Sequence, residues 1–547
     1  MERKASAAAG LILATLCAGQ FLMMLDSSVM NVSMATVAKD LDTTVTGIQT
    51  AITLYTLVMA AFMITGGKVG QIVGRGRAFA IGCVVYGAGS LTTALAPNLG
   101  ILLFGWSCLE GLGAALILPS IVALVATNFA AAERPRAYGL VAAAAAVAVA
   151  VGPIVGGLFT TYLSWRYVFA AEVLVVIAIL LLARRIAGGA PERKVRLDLA
   201  GTALSAAGLG LVVFGILRSG TWGFVKAKPG GPDWLGLSPT IWLILAGGLV
   251  IWLFATWEAR LVARGGEPLV DPAMLRTKIL RAGLTSFFFQ YFLQGGLFFA
   301  MPLFLSIALG LSAIDTGVRL LPLSATLILA AAGIPKAFPR ASPRRIVRIG
   351  FLAMFAGLVV LVAGLDAGAG AGVTTWPMLL AGLGMGSLAS QLGAVTVSAV
   401  PDRLSGEVGG LQNTVTNLGI SVGTALTGAI VIAALSSSFL TGVTENPAVP
   451  ARVQAQAGAE LDGGVPFLSD AELESALDQA RVPPRATAAI VEENETSRLV
   501  GLRTALSILA IFALVGLFFT GRIPTRGTGG EASSAPGPTG AAAAGDG

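Results

Sequence analysis

The chain of 547 residues is 55% hydrophobic and only 12% charged, and its mean hydropathy is +0.82. Soluble domains carry about 25% charged residues, so this composition excludes a water-soluble globular protein and indicates a membrane protein. The chain contains no histidine, which excludes histidine-dependent hydrolysis and histidine proton relays. Proton chemistry inside the membrane must therefore use carboxyl groups.

The cysteines and the net charge indicate no further binding function. Cys17, Cys83 and Cys108 all lie in long apolar stretches, where neither a disulfide framework nor a zinc cluster is expected. The formal net charge is +7, but the basic residues are spread over many loops and form no single patch, so no nucleic-acid partner is predicted. We predict no metal and no cofactor.

Fourteen apolar runs are long enough to cross a bilayer, which requires about 20 residues each. They predict fourteen membrane-spanning helices, numbered 1 to 14 in chain order. The runs lie near residues 10–32, 47–67, 78–96, 101–127, 137–160, 166–184, 199–217, 239–258, 282–308, 313–334, 346–365, 373–397, 408–435 and 503–521.

Lysine and arginine are concentrated after the even-numbered runs, and cytoplasmic loops retain such residues. This bias places both termini in the cytoplasm of a multi-pass protein of the bacterial plasma membrane. The polar, acidic segment at about residues 438–500 then lies outside. The basic residues that carry this bias include Lys68, Arg75, Arg77, Arg184, Arg185, Arg193, Arg260, Arg264, Lys278, Arg281, Lys336, Arg344, Arg348, Arg403 and Arg522.

The external segment contains Ser469 followed by Glu472, which is a capping-box spacing that predicts a short helix through Ala480. An external helical hairpin is the expected structure. Its function is left open between a lid that attracts cations to the outer vestibule and a solvated tether. The last stretch, residues 523–547, is rich in Gly, Ala, Ser and Pro, and we expect a disordered cytoplasmic tail.

Two acidic residues lie deep inside predicted spans. Asp26 lies in the second half of helix 1, with Asn31 further along, and Glu110 lies in helix 4 within GWSCLEGLGAALILPS. An ionised carboxyl group is expensive in lipid, so each residue is a functional hypothesis. We expect both to take up and release protons, and to interact if helices 1 and 4 line one cavity. The alternative is that Asp26 is a neutral, hydrogen-bonded structural residue.

Other polar residues of the spans have weaker signals. Ser107 precedes Glu110 by three residues, so both are expected on one face of helix 4. Glu172 lies nearer the end of helix 6. Asp315 and Arg319 have the spacing of a structural ion pair in helix 10.

Helix 5 contains AVGPIVGGLF, in which a proline removes a backbone donor and glycines allow a neighbouring helix to approach. We expect a bend with tight packing around Gly152, Pro153, Gly156 and Gly157.

Several segments, in this order along the chain, resemble motifs of the major facilitator superfamily, and within it the fourteen-helix drug:proton antiporter group (EmrB/QacA type). The resemblance covers nearly the whole chain. The segments are LDSSVMNVSMA with Asp26, GKVGQIVGRGR with Gly67, Gly74, Arg75 and Arg77, VGPIVGG, SWRYVF, DLAGTAL at Asp198, PLVDPAMLR at Asp271, and GEVGGLQNTVTNLGISVGTALTGAIV.

The resemblance implies an all-α polytopic fold with two six-helix bundles, residues 1–197 and 261–522, and two additional spanning helices at 198–260. It also implies a substrate cavity at mid-membrane that is exposed alternately to each side, with inward proton flow driving a small amphipathic or cationic substrate outward. The aromatic run of helix 9 fits substrate contact or lipid packing equally well. The predicted cavity residues are Asn31, Ser107, Glu172, Phe288, Tyr291 and Gln294.

Two positions depart from the family pattern. Gln71 stands where the loop motif normally has an aspartate, and Ser107 stands where helix 4 normally has an arginine, with Glu110 in place of a glutamine. We expect Asp26 and Glu110 to carry protons without that arginine; the alternative is altered or lost coupling.

The leading hypothesis is therefore multidrug-type, proton-coupled efflux by a protein that is not an enzyme. Alternatives are a dedicated exporter of one metabolite made by the cell, an uncoupled facilitator, a transport-dead sensor of the same fold, and a polytopic membrane enzyme. The predicted partners are the small-molecule substrate, protons and the lipid bilayer; a periplasmic adaptor is neither predicted nor excluded.

Overall fold

The computed structural model describes residues 2–129, 134–184, 197–228, 231–338, 340–366, 368–400, 405–454 and 467–525. Within these ranges the regular structure is helical, apart from one bridge between Trp234 and Leu237. The predicted disordered tail lies outside the described residues from residue 526 onward.

Fourteen long helices, α1 to α14, are present in the described part of the chain, and they correspond one to one with the predicted spans. They are α1 Glu2–Asp40, α2 Val45–Val73, α3 Arg75–Ala94, α4 Leu99–Leu102 continuing through Leu103–Glu110 and Gly111–Asn128, α5 Arg134–Tyr162, α6 Arg166–Ala183, α7 Leu199–Trp222, α8 Pro239–Ala263, α9 Lys278–Pro302, α10 Ala313–Ala337, α11 Pro343–Gly364, α12 Thr375–Val397, α13 Ser405–Glu445 and α14 Pro484–Phe519.

Thirteen of the fourteen are long and apolar enough to cross a membrane, and α3 is the exception. Its sequence, RGRAFAIGCVVYGAGSLTTA, is diluted by glycine, serine and threonine. Its buried residues include Phe79, Tyr86, Ser90 and Thr93, so one face of α3 is turned to the protein interior, where its polar side chains find partners. The predicted all-helical polytopic fold is confirmed.

Several helices extend beyond their apolar runs. Helix α13 continues to Glu445 and α14 begins at Pro484, so both helices extend into the predicted external segment. Apolar runs report the length in contact with lipid, whereas a helix continues into water when its backbone bonds are satisfied. The capping box at Ser469 is present, and it starts the short lid helix, Asp470–Gln479.

The predicted ion pair between Asp315 and Arg319 is wrong. Asp315 lies in the first turn of α10, where its backbone N–H is capped by the Ser312 hydroxyl. Its carboxylate in turn accepts a hydrogen bond from Ser312 Oγ, with an O···O distance of 2.6 Å. The carboxylate of Asp315 is therefore used in the local cap. The cap costs less conformational entropy than an ion pair, which would have to immobilise the long side chain of Arg319.

The helices alternate in direction, so the molecule has two faces. We call the end that carries the lid helix the lid face; α1, α3, α5 and α13 end there. The opposite end, where α1 begins and α14 ends, is the terminal face. There Arg344 Nε donates to the Ile523 carbonyl at 2.7 Å.

Helices α1–α6 and α9–α14 pack mainly among themselves. Helix α7 packs against α2 and α13, and α8 packs against α7. Contacts between the first and last six helices are made chiefly by α2 with α13 and by α5 with α10. A Cβ atom on Gly157 would lie 2.5 Å from the Ile314 Cα atom, and one on Gly317 would lie 2.2 Å from the Pro153 carbonyl oxygen. These close approaches lie near the lid-face ends of α5 and α10.

Candidate functional site: a buried carboxylate cluster

Three carboxyl groups meet in the interior of the first six helices. Asp26 on α1, Glu110 on α4 and Glu172 on α6 are all buried, and one oxygen from each lies within 4.8 Å of the others. The structure thus brings together the two acids that sequence reasoning paired. It adds Glu172, which sequence reasoning assigned to the substrate cavity. We call these three residues the carboxylate cluster.

Asp26 is held by an aromatic residue of α4. The indole Nε1–H of Trp106 donates to both carboxylate oxygens, at 2.9 Å and 3.0 Å. The Trp106 ring stacks on Tyr55 of α2, with ring centroids 4.8 Å apart and an interplanar angle of 3°. Asp26 therefore faces protein and not lipid, and its orientation depends on a donor from another helix.

Helix α3 positions the two glutamates. Ser90 Oγ donates to Glu172 Oε2 and Thr93 Oγ1 donates to Glu110 Oε1, each at 3.2 Å. Gly89 lies between them, and a Cβ atom there would be 2.5 Å from Glu110 Cγ. The small residues of α3 thus give the glutamates both space and donors, which explains its low hydropathy.

The remaining polar atoms of the site have no partners. Glu110 Oε2, Glu172 Oε1 and the hydroxyl groups of Tyr55 and Tyr86 are buried without a hydrogen bond. Among the described residues, no lysine or arginine forms an ion pair with the cluster. Carboxylates this close cannot all be ionised in an apolar interior. The site can hold protons, and three carboxylate oxygens at this separation could also ligate a hard cation.

A π-helical stretch, Leu103–Glu110, interrupts α4 at the cluster. Its wider turn rotates the side chains relative to an α-helix. As a result Ser107 and Glu110 do not share a face, contrary to the prediction. Ser107 Oγ donates to the Ala51 carbonyl of α2 at 2.8 Å, whereas Glu110 is directed at α3.

A separate narrow cleft, with a cavity volume of about 10 Å³, lies between α1, α5, α9 and α10. Asn31 lines it, and its amide donates to the Ser27 carbonyl at 2.7 Å. The cleft residue of α9 is Phe298, which sequence reasoning missed. The other lining residues are Ser28, Val32, Val149, Pro153, Leu320, Leu323 and Ser324. No member of the carboxylate cluster is among them.

The predicted cavity residues of α9 lie away from this cleft. The Tyr291 ring stacks with Phe287 at a centroid distance of 6.1 Å, and Phe288 stacks with Phe292 at 6.0 Å. Gln294 is half-buried on the same helix. The described contacts of the aromatic run are thus with other rings, and its role toward substrate stays a prediction.

The motif glycines of α5 face two helices. A Cβ atom on Gly152 would lie 2.4 Å from Ser28 Cβ, and one on Gly156 would lie 3.0 Å from Val29 Cα, both on α1. Gly157 faces α10. Together with Pro153, these residues allow α5 to pack closely against both halves of the molecule.

The loop motif between α2 and α3 braces α4. Gly74 has a φ of +96°, which favours glycine. Arg75 Nη1 donates to Thr127 Oγ1 at 3.0 Å and to the Ala123 carbonyl at 3.3 Å. A Cβ atom on Gly67 would touch Pro119 at 3.6 Å. Gln71 is half-buried and Arg77 is exposed.

Two side-chain bonds between α2 and α13 were missed by sequence reasoning. Gln49 Nε2 donates to the carbonyls of Thr424 and Ala425, each at 3.2 Å. Ser421 Oγ donates to the Thr53 carbonyl at 3.0 Å. The available signal was Gln49 itself, an amide side chain inside an apolar helix.

A vestibule with a volume of about 560 Å³ opens at the lid face, between the α1–α2 connection and the α9–α10 connection. Residues 467–472 form part of its wall. The side chains around it are mainly hydroxyl-bearing and apolar, with one lysine and one glutamate: Thr36, Lys39, Thr43, Thr44, Val45, Ser306, Ile307, Leu311, Ser312, Phe467, Leu468, Ser469 and Glu472.

Long helices in two packed groups, a cleft between them and a buried acidic cluster define a polytopic membrane transporter. The sequence profile described as Major Facilitator Superfamily matches residues 16–424. The chain therefore belongs to the major facilitator superfamily, and it is a multi-pass bacterial membrane protein.

Relatives and solved structures agree with this family. The chain is 29% identical to the probable actinorhodin transporter of Streptomyces coelicolor, over 87% of this chain and 82% of that protein. It is 32% identical to the puromycin resistance protein pur8 of Streptomyces alboniger, over 64% of this chain and 67% of that protein. A bacterial homologue of the human lysosomal transporter Spinster, solved inward-facing and unoccupied, is 16% identical with a TM-score of 0.58. That match covers 94% of this chain and 98% of the other and shows the fold alone.

Proposed function

We propose that this protein exports small amphipathic or cationic organic compounds in exchange for protons. The observation that carries the proposal is the buried carboxylate cluster of Asp26, Glu110 and Glu172, which has no basic partner among the described residues. The proposal places both termini in the cytoplasm and the lid face outside.

The cluster suits proton binding because its charge can only be balanced locally by protons or cations. Three ionised carboxyl groups in an apolar interior would repel each other strongly. Uptake of one proton relieves this repulsion, and its release restores it. The free oxygens of Glu110 and Glu172 provide acceptors for such protons.

The energy for export comes from the proton gradient. One charge that crosses the membrane yields about 2.3 kcal/mol per 100 mV of potential. We infer that the two halves rock about the cleft between α1, α5, α9 and α10, so that the substrate site opens alternately to each side. In the described arrangement the halves are joined near the lid face, through α2 with α13 and α5 with α10.

The departures at Gln71 and Ser107 fit coupling without an arginine. Ser107 bonds α4 to α2. The carboxyl groups of the carboxylate cluster lie close to each other, and no guanidinium group of the described residues pairs with them. We propose that Asp26 and Glu110, joined by Glu172, carry the transported protons.

The relatives support drug-like substrates. Their names refer to actinorhodin and puromycin, and we extend only the broad class, small organic compounds, to this chain. The cleft is lined by apolar residues with Asn31, Ser28 and Ser324 as the polar groups. Such a lining suits an amphipathic molecule. A multidrug exporter should transport several compounds of a test panel, whereas a dedicated exporter should transport only one.

The test is flux in reconstituted vesicles under an imposed pH gradient, with ethidium and puromycin as probes. Gradient-driven flux is expected for the natural sequence and loss to background for Asp26→Asn, with probe binding retained. Asp42→Asn, at an exposed lid-face position, is the matched control and should transport normally. Gradient-driven flux in Asp26→Asn overturns the proposed proton site. For the natural sequence, flux that does not depend on the pH gradient indicates a facilitator. No flux of either probe in the natural sequence indicates a sensor or a narrower substrate range.

A further inference from the structure

Trp106 lies between the carboxylate cluster and the contact that joins the two halves. The side chain is fully buried. Its N–H edge donates to both oxygens of Asp26, and its ring face stacks on Tyr55. One rigid indole therefore touches a titratable carboxyl group on one side and helix α2 on the other.

Helix α2 in turn carries the bonds to the opposite half. Gln49 and Thr53 precede Tyr55 by six and two residues, and they bond to Thr424, Ala425 and Ser421 of α13. A Cβ atom on Gly428 would lie 1.9 Å from Gln49 Nε2, so the glutamine side chain occupies space that any larger residue at this position of α13 would fill. Because of these bonds, a displacement of α2 is transmitted to α13.

We propose that Trp106 is a positioning residue that couples the charge of Asp26 to the contact between α2 and α13. This inference rests on the proposed proton exchange and adds the route by which protonation reaches the moving interface. Trp106 does not itself carry a proton.

The geometry of the donor explains how it distinguishes the two states. A carboxylate presents two acceptor oxygens to one N–H, and hydrogen bonds to an ionised group are about twice as strong as neutral ones. A protonated carboxyl group has one oxygen that is a donor, so the forked bond is weakened on that side. The indole is then released from Asp26 and its stack on Tyr55 is free to shift.

The backbone around Trp106 permits this shift. Trp106 lies in the π-helical stretch Leu103–Glu110, and short π-helical interruptions of this kind are frequent at functional sites. Ser107, the next residue, is bonded to the Ala51 carbonyl of α2. Movement of this stretch is therefore transmitted to α2 by two adjacent contacts.

Other titratable groups face Asp26 and enter the same equilibrium. They are Glu110 from α4, Glu172 from α6, Tyr86 from α3 and Tyr55 from α2. The Tyr55 hydroxyl has no hydrogen-bond partner, so removing it leaves the ring stack intact. This separates the stacking contact from titration of the tyrosine.

The test compares Trp106→Phe with Trp165→Phe. Trp165 is also fully buried and also donates Nε1–H to an aspartate, Asp40, at 3.0 Å, but it lies outside the cluster. Trp106→Phe is expected to lower gradient-driven flux about tenfold, the effect of losing a hydrogen bond to a charged group. It should also displace the pH profile of transport by about one unit, whereas Trp165→Phe should leave that profile in place.

A second readout follows the interface directly. Spin labels at position 42 on the α1–α2 connection and position 441 near the end of α13 report the separation of the halves at the lid face. In an otherwise cysteine-free protein, the separation should change between mildly acidic and mildly alkaline buffer. Trp106→Phe and Tyr55→Leu should reduce this pH response, and Tyr55→Phe should preserve it. Tyr55→Leu keeps the test valid if Trp106→Phe does not fold.

The two proposals fail differently. Gradient-driven transport by Asp26→Asn overturns the proposed function. If Asp26→Asn is inactive but Trp106→Phe and Tyr55→Leu keep both the natural pH profile and the natural pH response of the label distance, the coupling route is overturned and the proton site stands.

Discussion

Arg498 of α14 donates two hydrogen bonds from Nη2 to the carboxylate of Asp470, at 2.6 Å and 2.8 Å. The arginine side chain is only 1% exposed, and the aspartate is the first residue of the lid helix. Nη1 of the same arginine donates to the Leu468 carbonyl at 2.8 Å. This ion pair attaches the lid to the half of the molecule that contains α14.

Arg498→Ala should release the lid. The change leaves the Leu468 carbonyl and Asp470 with only the Asn494 amide as a donor, at 3.3 Å and 3.5 Å, and we expect the local stability of the lid to fall by about 1–3 kcal/mol. Hydrogen exchange of residues 467–483 should accelerate accordingly. Arg485→Ala removes an exposed arginine of the same helix and should leave the exchange unchanged. Equal exchange in both variants would show that the pair does not hold the lid.

Gly317→Ala should disturb closure of the lid face. The added Cβ would lie 2.2 Å from the Pro153 carbonyl oxygen, and overpacking of this kind costs about 1–3 kcal/mol. We expect α5 and α10 to separate, so that a cysteine at position 31 in the cleft reacts faster with an impermeant thiol reagent added on the lid side. Gly333→Ala is the matched control on α10, because nothing lies within 4 Å of its Cβ. Slow labelling in both variants would contradict the proposed gate.

The spans and the acidic residues could be predicted because their signals are local. Lipid selects apolar runs, and a carboxyl group inside such a run stands out, as Asp26 and Glu110 do. The capping box of Ser469 and Glu472 is likewise short-range chemistry. The helix ends were missed because hydropathy reports contact with lipid, although the proline at the start of α14 is a signal for the first turn of a helix.

The position of Glu172 beside Asp26 and Glu110 could not be predicted, because it depends on tertiary packing. Glu172 lies near the start of α6, and sequence reasoning assigned it to the substrate cavity and not to the proton site. It reaches Asp26 only because the small residues of α3, including Gly89 and Ser90, lie between α4 and α6. The π-helical stretch has no recognisable signature in the sequence, and it turns Ser107 away from Glu110.

Glu172→Gln should change the number of protons exchanged for each substrate molecule. The amide oxygen of glutamine can still accept from Ser90, so the fold is retained while one titrating group is removed. We expect a flatter pH dependence and a lower proton-to-substrate ratio, measured as the membrane potential that stops net flux at a fixed substrate gradient. Glu474→Gln changes an exposed acid of the lid helix and serves as the control. An unchanged ratio in Glu172→Gln would limit the proton site to Asp26 and Glu110.

Gln49→Met should weaken the joint between α2 and α13. Methionine fills a similar volume but cannot donate to the carbonyls of Thr424 and Ala425, and each lost bond between neutral groups is worth about 0.5–1.5 kcal/mol. The carbonyls remain satisfied within α13, so the fold should survive.

The expected result is a larger population with the lid face open. It should be seen as a longer distance between labels at positions 42 and 441 and as faster substrate-independent reorientation. Thr50→Val is the matched control, since the Thr50 hydroxyl bonds only to the Thr46 carbonyl of its own helix, at 2.8 Å. Because Gln49 and Tyr55 lie on the same helix, the effects of Gln49→Met and Trp106→Phe should be non-additive if α2 transmits the charge state of Asp26. Additive effects would mean that the cluster and the joint act independently.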